Sequence, residues 1–106
     1  MRVELLYTDD DPGYMKTRQN LVEVLSEDAF ETPVQMIAIH SPEDAALLGF
    51  PGSPTIRIDG ADIDPDGATV IGIGRRTYAG DGSVPGKPLI RRAVERARGW
   101  GHGRPR

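Results

Sequence analysis

Thirteen glycines and nine prolines in 106 residues decide what this chain can build. Neither residue suits the interior of a helix or a strand, so each cluster closes one element and opens the next. The clusters fall between apolar runs rather than within them. The segments left between them are short, which predicts a single domain of brief strands and helices rather than long bundles or a disordered chain.

Read between those breaks, Arg2–Tyr7 (RVELLY) is apolar and β-leaning and predicts a buried strand. Thr8 to Gly13 interrupts it. A helix is expected from Pro12 or Tyr14 to Leu25, with Asp11 at its N-cap and Pro12 at its first position. Tyr14, Arg18, Leu21, Val22 and Leu25 share one face at helical spacing; Lys16, Gln19, Asn20 and Glu23 are expected to face out. After a loop over residues 26–32, Pro33–Ile39 reads as a second strand. Ser41-Pro42-Glu43-Asp44 carries a serine cap, a first-turn proline and first-turn acids, so a short helix over Pro42–Leu48 is predicted, ended by Gly49.

Phe50 to Pro54 is a constrained loop, Thr55–Ile58 a third strand, and Asp59-Gly60 a turn signal. A fourth strand is expected near Arg75–Tyr78. Lys87-Pro88 opens a last helix to about Arg98, with Leu89, Ile90, Ala93, Val94 and Ala97 as its apolar stripe. Residues 1–98 are read as the domain and 99–106 as a flexible basic tail. The order is β-α-β-α-β-β-α. A helix between the first two strands makes them parallel, and a turn between the last two makes them antiparallel. This is a four-stranded mixed sheet with helices on both faces, the thioredoxin topology.

Cysteine is absent. Disulfides, cysteine zinc sites and cysteine nucleophiles are therefore excluded. The chain starts directly into a strand-like run and holds no apolar stretch near 18 residues, so a cytoplasmic protein with no membrane contact is expected. Charge is uneven. Residues 1–86 hold 6 basic and 15 acidic groups, net −9; residues 87–106 hold 7 basic and one acidic, net +6. The basic end is either an anion or nucleic-acid patch or a solvated last helix whose cations suit its C-terminal dipole. No aromatic residues alternate with the arginines, which disfavours nucleic acid.

Other chemical motifs fail on inspection. Asp62-Ile63-Asp64-Pro65-Asp66-Gly67 matches the opening of a calcium loop, but its twelfth position is Ile73, which cannot ligate. Ile71-Gly72-Ile73-Gly74 lacks the third glycine of a dinucleotide fingerprint. His40 and His102 have no metal-ligand spacing, and Ser53 has no nucleophile-elbow context. No metal and no cofactor is expected.

Leu5 to Tyr14 (LLYTDDDPGY), Leu48 to Gly60 (LGFPGSPTIRIDG), Gly74 to Tyr78 (GRRTY) and the last helix together resemble the small bacterial thioredoxin-like proteins. Some of these are labelled DF-family selenoproteins or alkylmercury-lyase-like. The resemblance covers most of residues 2–97, and the Gly-Ser-Pro-Thr loop entering a strand is its most specific part. The family's first loop reads roughly Tyr-x-Asp-Gly-Cys-Pro-x-Trp. Its cysteine or selenocysteine falls on Asp11, its proline on Pro12 and its tryptophan on Tyr14. A second family cysteine falls on Arg75. The resemblance implies a cis Ser53–Pro54 bond and a Ser53 backbone able to pair with an extended peptide or a glutathione-like ligand.

Both redox positions thus carry charges. A helix N-terminus lowers the pKa of a thiol placed there and makes it reactive. A carboxylate at the same place serves first as a cap and otherwise as an acid, base or ligand contact. An Asp11–Arg75 ion pair is one expectation. The functional reading is a redox-inactive binding or interaction domain. Its site would be Asp11, Pro12, Tyr14, Ser53, Pro54, Thr55 and Arg75, and its partner a protein or a small molecule, with self-association as one version. The alternatives are a non-thiol enzyme with Asp11 as acid or base, and an anion or nucleic-acid accessory. Alkylmercury cleavage and thiol oxidoreduction both need cysteine thiols, which this chain lacks.

Overall fold

The computed structural model describes residues 1–27 and 32–99. It holds β1 (Val3–Tyr7), α1 (Tyr14–Leu25), β2 (Val34–Ala38), α2 (Pro42–Leu48), β3 (Thr55–Ile58), β4 (Ala61–Asp62), a single 3-10 turn at Pro65–Gly67, and α3 (Lys87–Ala97). The four strands form one mixed sheet in the order β2-β1-β3-β4. β1 runs parallel to β2, with Leu5 opposite Met36, and antiparallel to β3, with Leu5 opposite Ile56. β4 is antiparallel to β3.

Consecutive residues of β1 serve opposite faces, as the two-residue period of a strand requires. Val3 and Leu5 join the larger core with Leu21, Val24 and Leu25 of α1 and Ile90, Ala93 and Val94 of α3. Leu6 points the other way and packs with Ile39, Phe50 and Ala45 of α2. Helices therefore cover both faces. The α2 side is thin: Ala45 is the only buried residue of that helix. Phe50, fully buried, is its largest filling, and burying such a ring is worth ~1.5–3 kcal/mol. No helix among the described residues is long and apolar enough to cross a membrane.

α2 forms where its cap chemistry predicts. The Ser41 hydroxyl accepts from the Asp44 N–H at 3.1 Å, and Gly49 closes the helix at φ 61°. The first helix departs from expectation in two ways. Its N-cap is Gly13, not Asp11. Its buried face is Thr17, Asn20, Leu21, Val24 and Leu25, while Arg18 is exposed and Val22 half-buried. The rotation is possible because the polar members find internal partners. Thr17 Oγ1 donates to the Gly13 carbonyl at 3.0 Å, and Asn20 Nδ2 to the Pro85 carbonyl at 3.1 Å. Docking of α1 onto α3 thus outweighs the apolar stripe.

The fourth strand is also displaced. It is not Arg75–Tyr78 but the two residues after the Asp59-Gly60 turn, whose φ values of 52° and 86° suit a tight hairpin. Pro65 ends the run, since it cannot donate to a ladder. Residues 72–76 instead form a strap across the entrance to β3. The Gly72 N–H donates to the Phe50 carbonyl at 3.0 Å, and Ser53 and Arg75 form a bridge. Gly52, at φ 111°, makes this approach possible: a Cβ there would stand 3.1 Å from both the Arg76 Cβ and the Gly74 carbonyl oxygen. Of the expected tail, only Gly99 lies within the described residues, as do Ser26, Glu27 and Thr32 of the loop before β2.

Candidate functional site

Asp11 follows the end of β1, where the chain turns toward α1. It is 3% exposed. Its Oδ1 accepts from the Gly13 N–H at 2.9 Å, just ahead of the helix, and its Oδ2 accepts from the Ser53 hydroxyl at 2.7 Å. Ser53 Oγ in turn accepts from the Thr8 N–H at 3.0 Å. The carboxylate therefore ties the β1–α1 turn to the loop before β3. Both carboxylate oxygens are thus bonded within the protein, and the side chain is almost wholly buried.

The Ser53–Pro54 peptide is cis. The Ser53 backbone is not free for a ligand strand, however. Its N–H donates to the Gly74 carbonyl at 2.9 Å and its carbonyl accepts from the Arg76 N–H at 2.8 Å. The strap fills the pairing position that the family resemblance implies for a peptide. Ser53, Pro54 and Thr55 are all buried. Thr55 Oγ1 donates to the Gly52 carbonyl at 2.7 Å and accepts from Arg76 at 3.1 Å, so this residue supports the loop from within.

The expected Asp11–Arg75 pair does not form; no such ion pair exists among the described residues. Arg75 is exposed at the rim, and the arginine that turns inward is Arg76, one residue on. Arg76 is 4% exposed and bidentate on Asp62, at 2.7 and 2.8 Å. It also donates to the Asp64 carbonyl at 2.8 Å and lies 4.5 Å over the Tyr78 ring. Burial opposes its charge, but the Asp62 hydrogen bonds and the surrounding field outweigh that and raise its pKa. Tyr78 donates its hydroxyl to the Pro54 carbonyl at 2.6 Å, and burial pushes that hydroxyl well above the usual phenolic range. The calcium-like acidic motif thus supplies an arginine clamp. Among the described residues no group of three or more acids or histidines could hold a metal ion.

Sequence reasoning missed Arg76, Asp62 and Tyr78 as a unit. The choice between Arg75 and Arg76 turns on one residue of register, which inverts the direction of a side chain. The signal that was present was Asp62 in an acidic loop that could not complete a metal site.

Access begins above this locked floor. A small hollow of about 130 Å³ is lined by Thr8, Asp10, Asp11, Ser53, Ile73 and Arg75, among others. Beside it, a second of about 230 Å³ is lined by Thr8, Asp9, Asp10, Ile39, His40 and Ile73. Thr8, Asp10 and Ile73 belong to both, so the two form one shallow groove. It lies at the carboxyl ends of β1 and β2. β1 is followed by a helix on one face and β2 by a helix on the other, which makes this the point in an open sheet where ligands are usually bound. The exposed groups at its rim are Asp9, Asp10, His40, Ile73 and Arg75. His40 Nδ1 stands 4.0 Å from Asp9 Oδ2. Pro12 is exposed, and Tyr14 stacks on Tyr7 with ring centroids 4.3 Å apart.

The basic last helix is partly neutralised by its own fold. Lys87 pairs with Glu23, and Arg91 with Glu27 at 2.6 Å. Hydrogen bonds from Arg91 hold the Glu27 carboxyl below the usual range, and those from Lys87 and Gln19 do the same for Glu23. Arg96 donates to the Ile63 carbonyl at 3.3 Å. These contacts brace α3 against α1 and the segment after β4.

Fold and site together define a mixed α/β domain with a groove at the switch point of an open sheet, in a chain without cysteine. No family model, curated protein or solved structure matches this chain.

Proposed function

We propose that this is a redox-inactive thioredoxin-like binding domain, which takes a partner on the groove above the N-terminus of α1 and the cis-proline loop. The strand order β2-β1-β3-β4, with β3 running against the other three strands, and the cis Ser53–Pro54 peptide support the fold assignment. The observation that carries the functional reading is the state of Asp11. By the resemblance it takes the place of that family's reactive sulfur, and it is buried with both oxygens bonded within the protein. The position is structural, so function passes to the rim.

Asp9 and Asp10 at the rim, with Ile73 between the two hollows, suit a basic side chain with an apolar stem, such as lysine or arginine on a protein segment. Recognition is by these side chains, because the Ser53 backbone is already paired. The test is an array of linear peptides probed with the intact chain, followed by amide-shift mapping of the best binder. Binders rich in Lys and Arg are expected, with shifts at Thr8–Asp10, His40 and Ile73–Arg75. Asp9→Asn with Asp10→Asn should weaken binding about tenfold, the equivalent of ~1.4 kcal/mol. No binder, or shifts confined to another surface, defeats the proposal. A small metabolite turned over by the wild type and not by Asp11→Asn would favour an enzyme.

A further inference from the structure

The groove does not end at Arg75. A third hollow, of about 100 Å³, is lined by Pro51, Gly52, Val70, Gly72, Gly74 and Arg75. It shares Gly74 and Arg75 with the 130 Å³ hollow, so the groove continues across the strap. Its character changes along the way. Asp9 and Asp10 lie at one end. Asp10 and Arg75 both line the middle, and neither is in an ion pair among the described residues. Beyond Arg75 the lining holds no charge, and Val70 stands 74% exposed beside it.

Two glycines keep that far end open. Gly52 is required by the close approach of the strap, but Gly72 and Gly74 are not required by anything within the chain. Neither has a positive φ, and a Cβ built on either meets no atom within 4 Å. Glycine there gives up conformational entropy on folding without relieving a clash. A side chain at either position would occupy the hollow that the two glycines line.

We propose that the partner is an extended protein segment carrying a basic, an acidic and an aliphatic side chain at alternate positions. Asp9 and Asp10 take the first, Arg75 the second and the hollow at Val70 the third. This rests on the binding reading above and adds an order and an anchor to it. Alternate side chains of an extended segment share one side. Ile73 borders the acidic end and Val70 the apolar end, and their Cα atoms are at most ~11 Å apart. An extended chain covers that in three to four residues, so all three side chains fall within a five-residue stretch. The last hollow is smaller than the ~150 Å³ that encloses benzene, which suits an aliphatic side chain rather than a ring. Shallow hollows in a row give a metabolite little of the enclosure that ligand pockets provide, whereas a chain segment spreads its contacts along them.

The probes are fluorescein-labelled nine-residue peptides with the core Lys-Ser-Asp-Ser-Leu or its reverse, titrated with the intact chain by anisotropy. In the better of the two, replacing the leucine by alanine or the aspartate by lysine should weaken binding at least about tenfold. Gly72→Leu fills the hollow and should cost about tenfold with the leucine peptide, but little more with the alanine peptide. Arg75→Glu should invert the choice at the middle position, so that lysine there binds about tenfold tighter than aspartate. Circular dichroism checks that both variants fold, and if one does not, the other decides. If Asp9→Asn with Asp10→Asn weakens binding while the leucine, Gly72 and Arg75 changes stay within about twofold, this proposal fails and the broader reading stands. If neither peptide binds, this proposal also fails, and the peptide array decides the broader reading alone. A chain that sediments as a dimer broken by Gly72→Leu overturns it too, since a second copy would then fill the groove.

Discussion

Replacing Asp62 with alanine tests whether the arginine clamp holds the entrance to β3. The guanidinium of Arg76 would lose two bonds, of 2.7 and 2.8 Å, and keep Thr55 Oγ1 and the Asp64 carbonyl. Its Nε has no hydrogen-bond partner even in the intact protein. Breaking a buried ion pair from one side costs ~3–5 kcal/mol, because the remaining charge is stranded. The Asp62 side chain is 11% exposed, so water can reach the gap, and the low end, about 3 kcal/mol, is expected. A domain of this size has ~5–15 kcal/mol in all, and each kcal/mol moves its melting point ~4–8 °C. Urea unfolding followed by circular dichroism gives the number. The companion variant Asp62→Ala with Arg76→Met removes the charge as well as its partner and should recover most of the loss. If Asp62→Ala costs under about 1 kcal/mol, or the double variant is worse than the single, the clamp does not stabilise the fold in this way.

The other side of the same loop can be tested by Ser53→Ala. It deprives Asp11 of one bond and leaves the Thr8 N–H unpaired, which should cost ~1–3 kcal/mol by denaturant titration, with no effect if water replaces the hydroxyl. Gly52→Ala forces a side chain into φ 111° against the strap; a loss above ~1 kcal/mol is expected, together with faster hydrogen exchange at the Ser53 and Arg76 amides. Tyr78 supplies a pH prediction. Its folded pKa is raised, so its stabilisation is complete below the phenolic pKa of the unfolded chain, ~10, and is lost as pH climbs above it. Ultraviolet titration should show one of the three tyrosines ionising only as the protein unfolds, and Tyr78→Phe should abolish that step.

Where local chemistry dictates structure, the sequence was readable. Ser41, Pro42 and Gly49 bound α2 by cap and breaker chemistry alone, and Asp59-Gly60 turns where it must. Errors arose where tertiary contacts decide. Asn20 reads as a solvent residue on any helical wheel, yet the Pro85 carbonyl gives it a buried partner 65 residues away. Arg75–Tyr78 reads as a strand by composition, but the hairpin at Asp59-Gly60 takes the sheet position first, and the later segment becomes a strap. Asp11 was recognisable as a residue facing donors at a helix start. Its second donor, Ser53, lies 42 residues on and could not be inferred from local pattern.

Ser53, Pro54 and Thr55 are held from two directions, and this decides how the domain can work. From the turn after β1, Asp11 and Thr8 fix the Ser53 hydroxyl. From the strap, Gly74 and Arg76 fix its backbone, Tyr78 takes the Pro54 carbonyl, and Arg76 reaches Thr55. At ~0.5–1.5 kcal/mol for each bond, these contacts make the loop one of the most firmly determined parts of the fold. A loop built to admit an extended ligand would have to give up its strap bonds first, at a cost of about 1–3 kcal/mol from those two main-chain bonds alone. A ligand that binds only side chains above the loop avoids that cost. On the proposed binding reading, recognition therefore falls outward, on the exposed rim side chains of Asp9, Asp10, His40, Ile73 and Arg75. Those side chains can vary with the partner without disturbing the core beneath them.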